Sequence, residues 1–178
     1  EVVKVVVLGG GSTGEHFVGA LRRLDADVEI TLVESRLVGG ECSYFACMPT
    51  KTMLRAVELS SSLDRAPGLA PEKPDAAGVW QWRDWITSDW DDADQLTWLD
   101  GQKCAFVRGR ARVSRPGAVE VEGRELEYDR LIVATGSSPA VPPVEGLESV
   151  EYWTNQDATR AHEVPESLAV LGSGPVGV

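Results

Sequence analysis

The feature that most constrains the fold lies at the start of the chain, where Val5-Val6-Val7-Leu8 runs straight into Gly9-Gly10-Gly11-Ser12-Thr13-Gly14. A strand feeding a GxGxxG turn at the mouth of a helix opens a βαβ unit. The apolar run is continuous rather than alternating, which predicts a strand over residues 2–8 covered on both faces and central in a parallel sheet. A helix is expected from about Thr13 to Leu24, with Phe17, Leu21 and Leu24 as its buried stripe. Val28 to Val33 then returns as a parallel strand. In such a turn Gly9 permits the tight bend, Gly11 lets the backbone approach a pyrophosphate, and Gly14 lets the helix pack closely on the strand. The amides opening the helix face the phosphates. Glu34 ends the second strand, 20 residues after Gly14, where a carboxylate can hold ribose hydroxyls.

Five residues beyond that acid begins Gly39-Gly40-Glu41-Cys42-Ser43-Tyr44-Phe45-Ala46-Cys47-Met48-Pro49-Thr50-Lys51. Two cysteines this close, beside a nucleotide site, suggest redox chemistry. Their i, i+5 separation spans about 7.5 Å along an ideal helix and about 140° around it, beyond the ~7 Å Cα limit for a bridge. If they form a disulfide, the helix must be distorted or begin irregularly between them. Two reduced, buried thiols are the alternative. No second cysteine pair or nearby histidine completes a ligand set, so no metal is expected. Lys51 follows Cys47 by four residues, one turn along a continuing helix. A cation there can lower a thiolate pKa or polarise a flavin ring; otherwise it is a solvated surface lysine. Cys104 reads as an inert small side chain, and His16 and His162 as surface or packing residues.

The remaining chain suggests a helix over Thr50–Leu63, with helical spacing in Met53, Leu54, Val57 and Leu63 and Pro49 as its natural first residue. A second long helix is expected from about Ala76 to Leu99, carrying Trp80, Trp82, Trp85, Trp90 and Trp98, whose mixed spacing among aspartates favours packing or an oligomer contact over ligand stacking. Residues 103–113, 118–122 and 125–128 read as strands of a meander with turns at Arg115-Pro116-Gly117 and Gly123. Leu131 to Ala134 is a further buried strand, leading into Thr135-Gly136 and a proline-rich connection. Leu168 to Leu171 repeats the opening theme as a strand before Gly172-Ser173-Gly174-Pro175-Val176-Gly177. The helix such a turn requires does not follow, so the chain reads as part of a longer protein.

At 178 residues the chain holds one buried domain and a piece of another. A net charge of -11 and a pI near 4.6 argue against nucleic acid or anionic lipid as partners and leave a small-molecule substrate. No apolar stretch is long enough to cross a bilayer and no signal-peptide pattern precedes the first strand. The chain is expected to be soluble and cytoplasmic, and three cysteines are too few for a secreted disulfide scaffold.

With these motifs in hand, the chain resembles the class I pyridine nucleotide-disulfide oxidoreductases, the flavoprotein group of dihydrolipoamide dehydrogenase, glutathione reductase and mercuric reductase. The family pattern GGxCxxxxCxPxK is matched by Gly39, Gly40, Cys42, Cys47, Pro49 and Lys51, and its ATG segment by Ala134, Thr135 and Gly136. The chain departs from it in Glu41, where threonine is usual, and in Ser43-Tyr44-Phe45-Ala46, bulkier than the typical Leu-Asn-Val-Gly.

The resemblance implies an α/β fold. A Rossmann-like FAD-binding domain with a parallel sheet, helices and a three-stranded β-meander would occupy residues 1–148. Residues 149–178 would be a linker and the first strand and turn of an NAD(P)-binding domain. It implies FAD held by Gly9, Gly11, Gly14, Glu34, Gly40, Thr135 and Gly136, with Lys51 near the flavin. NAD or NADP would meet Gly172, Gly174 and Gly177. Cys42 would be the interchange thiol that attacks substrate and Cys47 the thiol facing the flavin. The parent would be a homodimeric oxidoreductase whose base comes from a C-terminal domain of the partner subunit. Two other readings stay open: a non-catalytic FAD-binding fragment, and a flavin quinone reductase or oxidase of the same fold.

Overall fold

The computed structural model describes residues 2–70 and 73–177. The elements run β1 (Lys4–Leu8), α1 (Ser12–Leu24), β2 (Glu29–Glu34), α2 (Gly40–Tyr44), α3 (Cys47–Asp64), α4 (Ala76–Ile86), α5 (Ala93–Gly101), β3 (Cys104–Arg108), β4 (Ala111–Arg115), β5 (Ala118–Val121), β6 (Arg124–Glu127), β7 (Arg130–Val133) and α6 (Asn155–Arg160), with single 3-10 turns at Ser88–Trp90 and Leu147–Ser149. The chain divides into two compact units. One holds Glu1–Tyr44 and Ser88–Ser137, the other Phe45–Thr87 and Ser138–Val178.

In the first unit a parallel sheet of order β3-β2-β1-β7 has β1 inside it, as the apolar run predicted, with Val6 opposite Thr31 on β2 and Leu131 on β7. Successive β1 residues point to opposite faces. Val5 and Val7 join Val18, Ile30, Leu32, Val38, Leu99 and Cys104 in one core cluster, with Phe17, Leu21 and Leu96 packed against it, so α1 and α5 cover that face. Val6 and Leu8 join Val33, Val119 and Val121 in the other, covered by the antiparallel meander β4-β5-β6.

Several expectations are corrected. Leu24 is 86% exposed; the buried face of α1 runs through Gly14, Val18 and Gly19, because small residues allow the helix to approach the sheet. The strand expected over 103–113 is two. β3 joins the parallel sheet through Ile30↔Cys104, and the chain turns at Gly109 (φ +158°) before β4 enters the meander. The single helix expected over 76–99 is broken. Ser88, Asp89 and Trp90 all take left-handed φ of 50°, 51° and 57°, at about 1–2 kcal/mol each for residues with a Cβ, and α5 begins only after them. Of the five tryptophans, Trp80 and Trp90 are half-buried and Trp82, Trp85 and Trp98 exposed.

In the second unit α3 packs on α4. Helix α3 begins at Cys47 rather than at Pro49, which lies buried in its first turn, where a missing N–H costs no hydrogen bond. Leu54, Val57 and Leu63 on α3 are exposed. The guanidinium of Arg83 is fully buried, pairs with Asp84 at 2.7 Å and donates to the carbonyls of Thr159 and Ala161 at 3.0 and 2.6 Å. Buried charge survives only when its donors are satisfied in this way. Helix α6 opens on a capping box, Asp157 accepting from the Thr154 amide and hydroxyl at 2.8 and 2.6 Å. Leu168 to Leu171 is not a strand. A strand needs a ladder partner, and no described strand pairs with it.

Candidate functional site

The glycine turn of the first unit is packed so tightly that side chains have no room. A Cβ on Gly9 (φ +105°) would run into the Ala134 carbonyl and lie 3.1 Å from the Cα of Thr135. A Cβ on Gly14 would strike the Gly9 carbonyl oxygen, which is why the helix can sit against the strand end. Gly39 forms a bridge with Gly11 and donates its amide to the Gly10 carbonyl at 2.7 Å. A Cβ on Gly40 (φ +65°) would lie 2.5 Å from the Cα of Gly11. Three separate segments, residues 9–14, 39–40 and 134–135, therefore meet backbone to backbone at the end of β1. The amide of Ala134 donates to the Leu8 carbonyl at 2.8 Å, and Gly136 turns the chain away at φ +67°.

Glu34 borders this turn. One carboxylate oxygen accepts the Gly10 amide at 2.9 Å and the other accepts the Arg36 amide at 2.6 Å. Both oxygens are thus fixed by backbone; the Ser35 hydroxyl also donates to Oε1 at 3.4 Å, and Oε2 keeps a lone pair for a further donor. Gly11 is the N-cap of α1 and no side chain caps it, so the first-turn amides are left to face outward as hydrogen-bond donors. Gly10 was not among the residues singled out from the sequence. Its amide holds Glu34, and a Cβ there would stand 3.0 Å from Leu32 Cδ2 and 3.1 Å from Glu34 Cβ. Three successive glycines were the signal.

Cys42 lies in α2, two residues past the Gly40 contact, and is partly buried. Helix α2 ends at Tyr44. The chain breaks at Ala46, whose φ of -139° and ψ of -91° are not helical, and α3 starts at Cys47. The irregularity required between the cysteines is present. Cys47, partly buried, and Lys51, exposed, both lie on α3 in the second unit, one turn apart. Cys104 is buried in the first unit's core and burial pushes its thiol up to about 11. Both histidines are exposed; His16 Nδ1 lies 2.7 Å from the Ser12 carbonyl oxygen and His162 Nδ1 3.4 Å from the buried Arg83 guanidinium.

Sequence reasoning gave no role to the residues that hold α2. The Trp90 indole N–H donates to the Tyr44 carbonyl at 3.0 Å, and the Tyr44 hydroxyl reaches the Asp91 carbonyl at 3.1 Å and Gln95 Oε1 at 3.0 Å. Buried Asp92 accepts the Val38 amide and pairs with Arg108, each at 2.7 Å. Burial, then the carboxylates of Asp92, Glu15, Asp91 and Asp94, push the Tyr44 phenol up to about 12.

In the second unit the other glycine motif makes the same local turn. Gly172 takes φ +118°, a Cβ on Gly177 would strike the Gly172 carbonyl oxygen, and Val170 Cγ1 would lie 3.3 Å from it. In the first turn Gly14 stands in the same relation to the Gly9 carbonyl and to Val7 Cγ1, at 3.6 Å. A Cβ at Gly172 or Gly174 would meet nothing within 4 Å.

Residues 3–178 match the family described as pyridine nucleotide-disulphide oxidoreductase. The chain belongs to that family. Among its relatives are mercuric reductases of Staphylococcus aureus (32% identical, 92% of this chain, 31% of the relative) and Serratia marcescens (33%, 99% and 40%). The dihydrolipoyl dehydrogenase of Thermus scotoductus is 33% identical over 98% of this chain and 38% of its own. Similar solved structures include the HOCl-induced flavoprotein disulfide reductase RclA of Escherichia coli, with a TM-score of 0.76 at 19% identity over 91% of this chain and 35% of that one. LpdA of Mycobacterium tuberculosis gives 0.65 at 27% identity over 80% and 33%. The chain is homologous to oxidoreductase enzymes, shares the α/β fold of flavoprotein disulfide reductases, and spans about a third of the length of these relatives. Among the described residues no helix is long and apolar enough to cross a membrane.

Proposed function

We propose that the full-length protein is an FAD-dependent oxidoreductase that passes electrons from NAD(P)H to a Cys42–Cys47 disulfide and on to a disulfide or related small substrate. The observation that carries this reading is the backbone cradle of Gly9, Gly11, Gly14, Gly40, Thr135 and Gly136 beside a Glu34 carboxylate held by two amides. A dinucleotide fits it: the uncapped amides opening α1 suit a diphosphate, the absent Cβ atoms let it approach the backbone, and the free lone pair of Glu34 Oε2 suits a ribose hydroxyl. The flavin, when bound, supplies the two-electron relay between pyridine nucleotide and disulfide.

The chain's own sulfurs do the rest. The Cys42 thiolate attacks one sulfur of a substrate disulfide, forming a mixed disulfide and releasing the first thiol. The Cys47 thiolate then attacks the Cys42 sulfur, releases the second thiol and closes the Cys42–Cys47 bond. Lys51 lies one helical turn from Cys47 on α3. Gly172, Gly174 and Gly177 open the site for NAD or NADP, supported by a turn that repeats the conformation of the first. The working protein is read as a cytoplasmic homodimer.

Anaerobic titration of the full-length protein with NADH and with NADPH, followed at the flavin band, tests the reading. Bleaching by one of them is expected; a protein that carries no flavin, or a flavin reduced by neither, overturns it.

A further inference from the structure

The five-residue helix that carries Cys42 is too short to be stable alone; besides the glycine turn at its start, the segment Trp90 to Gln95 anchors it. Before the cysteine, the Val38 amide donates to Asp92 at 2.7 Å, fixing the loop that enters Gly39-Gly40. After it, the Tyr44 carbonyl, a helix-terminal group with no intrahelical partner, accepts the Trp90 indole N–H at 3.0 Å. The Tyr44 ring is buried, and its hydroxyl bonds back to Asp91 and Gln95. Trp90 reaches that carbonyl from a turn in which Ser88, Asp89 and Trp90 hold three successive left-handed conformations. Strain of this kind persists where surrounding structure enforces it, and it clusters at functional sites.

We propose that Trp90 and Tyr44 are positioning residues for the dithiol: by ending α2 at Tyr44, they fix the place of the Cys42 sulfur and so set the equilibrium between the dithiol and disulfide forms of Cys42 and Cys47. The inference rests on the redox reading of these cysteines given above. The couple balances with an added reagent: Cys42 and Cys47 lose two protons and two electrons and form one S–S bond, while oxidised dithiothreitol gains them and opens to its dithiol. Asp92 acts with the clasp by tying Val38 to Arg108, whose guanidinium also lies 4.7 Å over the Phe106 ring.

The test is a dithiothreitol redox titration of the full-length protein, read by alkylation at about pH 8, where Cys104, buried and pushed up to about 11, stays unmodified. Trp90→Phe keeps an aromatic ring but removes the indole donor together with the five-membered ring; Tyr44→Phe keeps the buried ring and removes only the hydroxyl. Each is expected to shift the thiol–disulfide equilibrium constant by about 3- to 10-fold, and both together further. Trp85→Phe, at a side chain 73% exposed on α4, is the control and should shift nothing. A merely structural role would lower the melting temperature and leave the midpoint of the folded protein unchanged. If wild type shows no reversible Cys42–Cys47 couple, the redox reading itself fails. If wild type shows the couple and both variants, folded by circular dichroism, titrate with it, the positioning role is overturned.

Discussion

The two glycine turns carry one sequence pattern and one backbone conformation, yet only the first is built into a cradle. Around Gly9–Gly14 stand Glu34, the Gly39-Gly40 bridge and Ala134-Thr135-Gly136, each brought there by a strand of the parallel sheet or by the loop that follows it. Around Gly172–Gly177, among the described residues, a Cβ meets only the turn's own atoms and Val170 Cγ1. Local sequence is therefore enough to shape the turn. What makes a binding site is the arrival of other chain segments, through contacts that a turn cannot encode.

The largest expected difference between the turns is steric. Gly14→Ala should destabilise the full-length protein by on the order of 3 kcal/mol in urea unfolding and abolish flavin retention, because the added methyl meets backbone that cannot move aside. In the 178-residue chain Gly174→Ala should change stability by less than about 0.5 kcal/mol, since a Cβ there meets nothing within 4 Å. Equal effects at the two positions would break the comparison.

Glu34 should come next. Glu34→Gln replaces one charged acceptor of the Gly10 and Arg36 amides with a donor, and FAD affinity should fall by about 10-fold in a fluorescence titration. Asp89→Gly removes the left-handed penalty in the turn before α5 and should raise stability by about 1 kcal/mol. A loss of stability there would mean that Asp89 makes contacts the turn needs.

The smallest effect is a pH dependence confined to the second unit. Hydrogen bonds from the Thr154 hydroxyl and amide hold the Asp157 carboxyl below its ordinary value of 3.8. A depressed carboxylate contributes stability above its unfolded pKa and loses it as pH falls through the folded value. Amide exchange over α6 should therefore quicken only below about pH 4, and Asp157→Asn should remove that dependence. Exchange that quickens equally in the variant would contradict the cap.

What was legible in the sequence follows the same division. The order strand, glycine turn, helix, strand and acid was readable because φ > 0 at Gly9 and the apolar run of β1 are local properties. So was the need for a break between Cys42 and Cys47, which comes from helical geometry alone. The break within 76–99 was not, because its cause is a bond from Trp90 to a carbonyl 46 residues away in sequence. Within 103–113, residues 111–113 belong to the meander as read, but 104–108 were given to the wrong sheet, since pairing with Ile30 leaves no mark on the segment itself. Leu168–Leu171 had the composition of a strand and no described partner to make it one.

The central claim is that the first glycine turn and Glu34 hold a flavin dinucleotide. Crystals of the full-length protein grown with FAD test it most directly. The account predicts a diphosphate within about 3 Å of the amides opening α1 and an adenosine ribose hydroxyl on Glu34. A dinucleotide bound elsewhere, with Glu34 bonded only to Gly10 and Arg36, would contradict it.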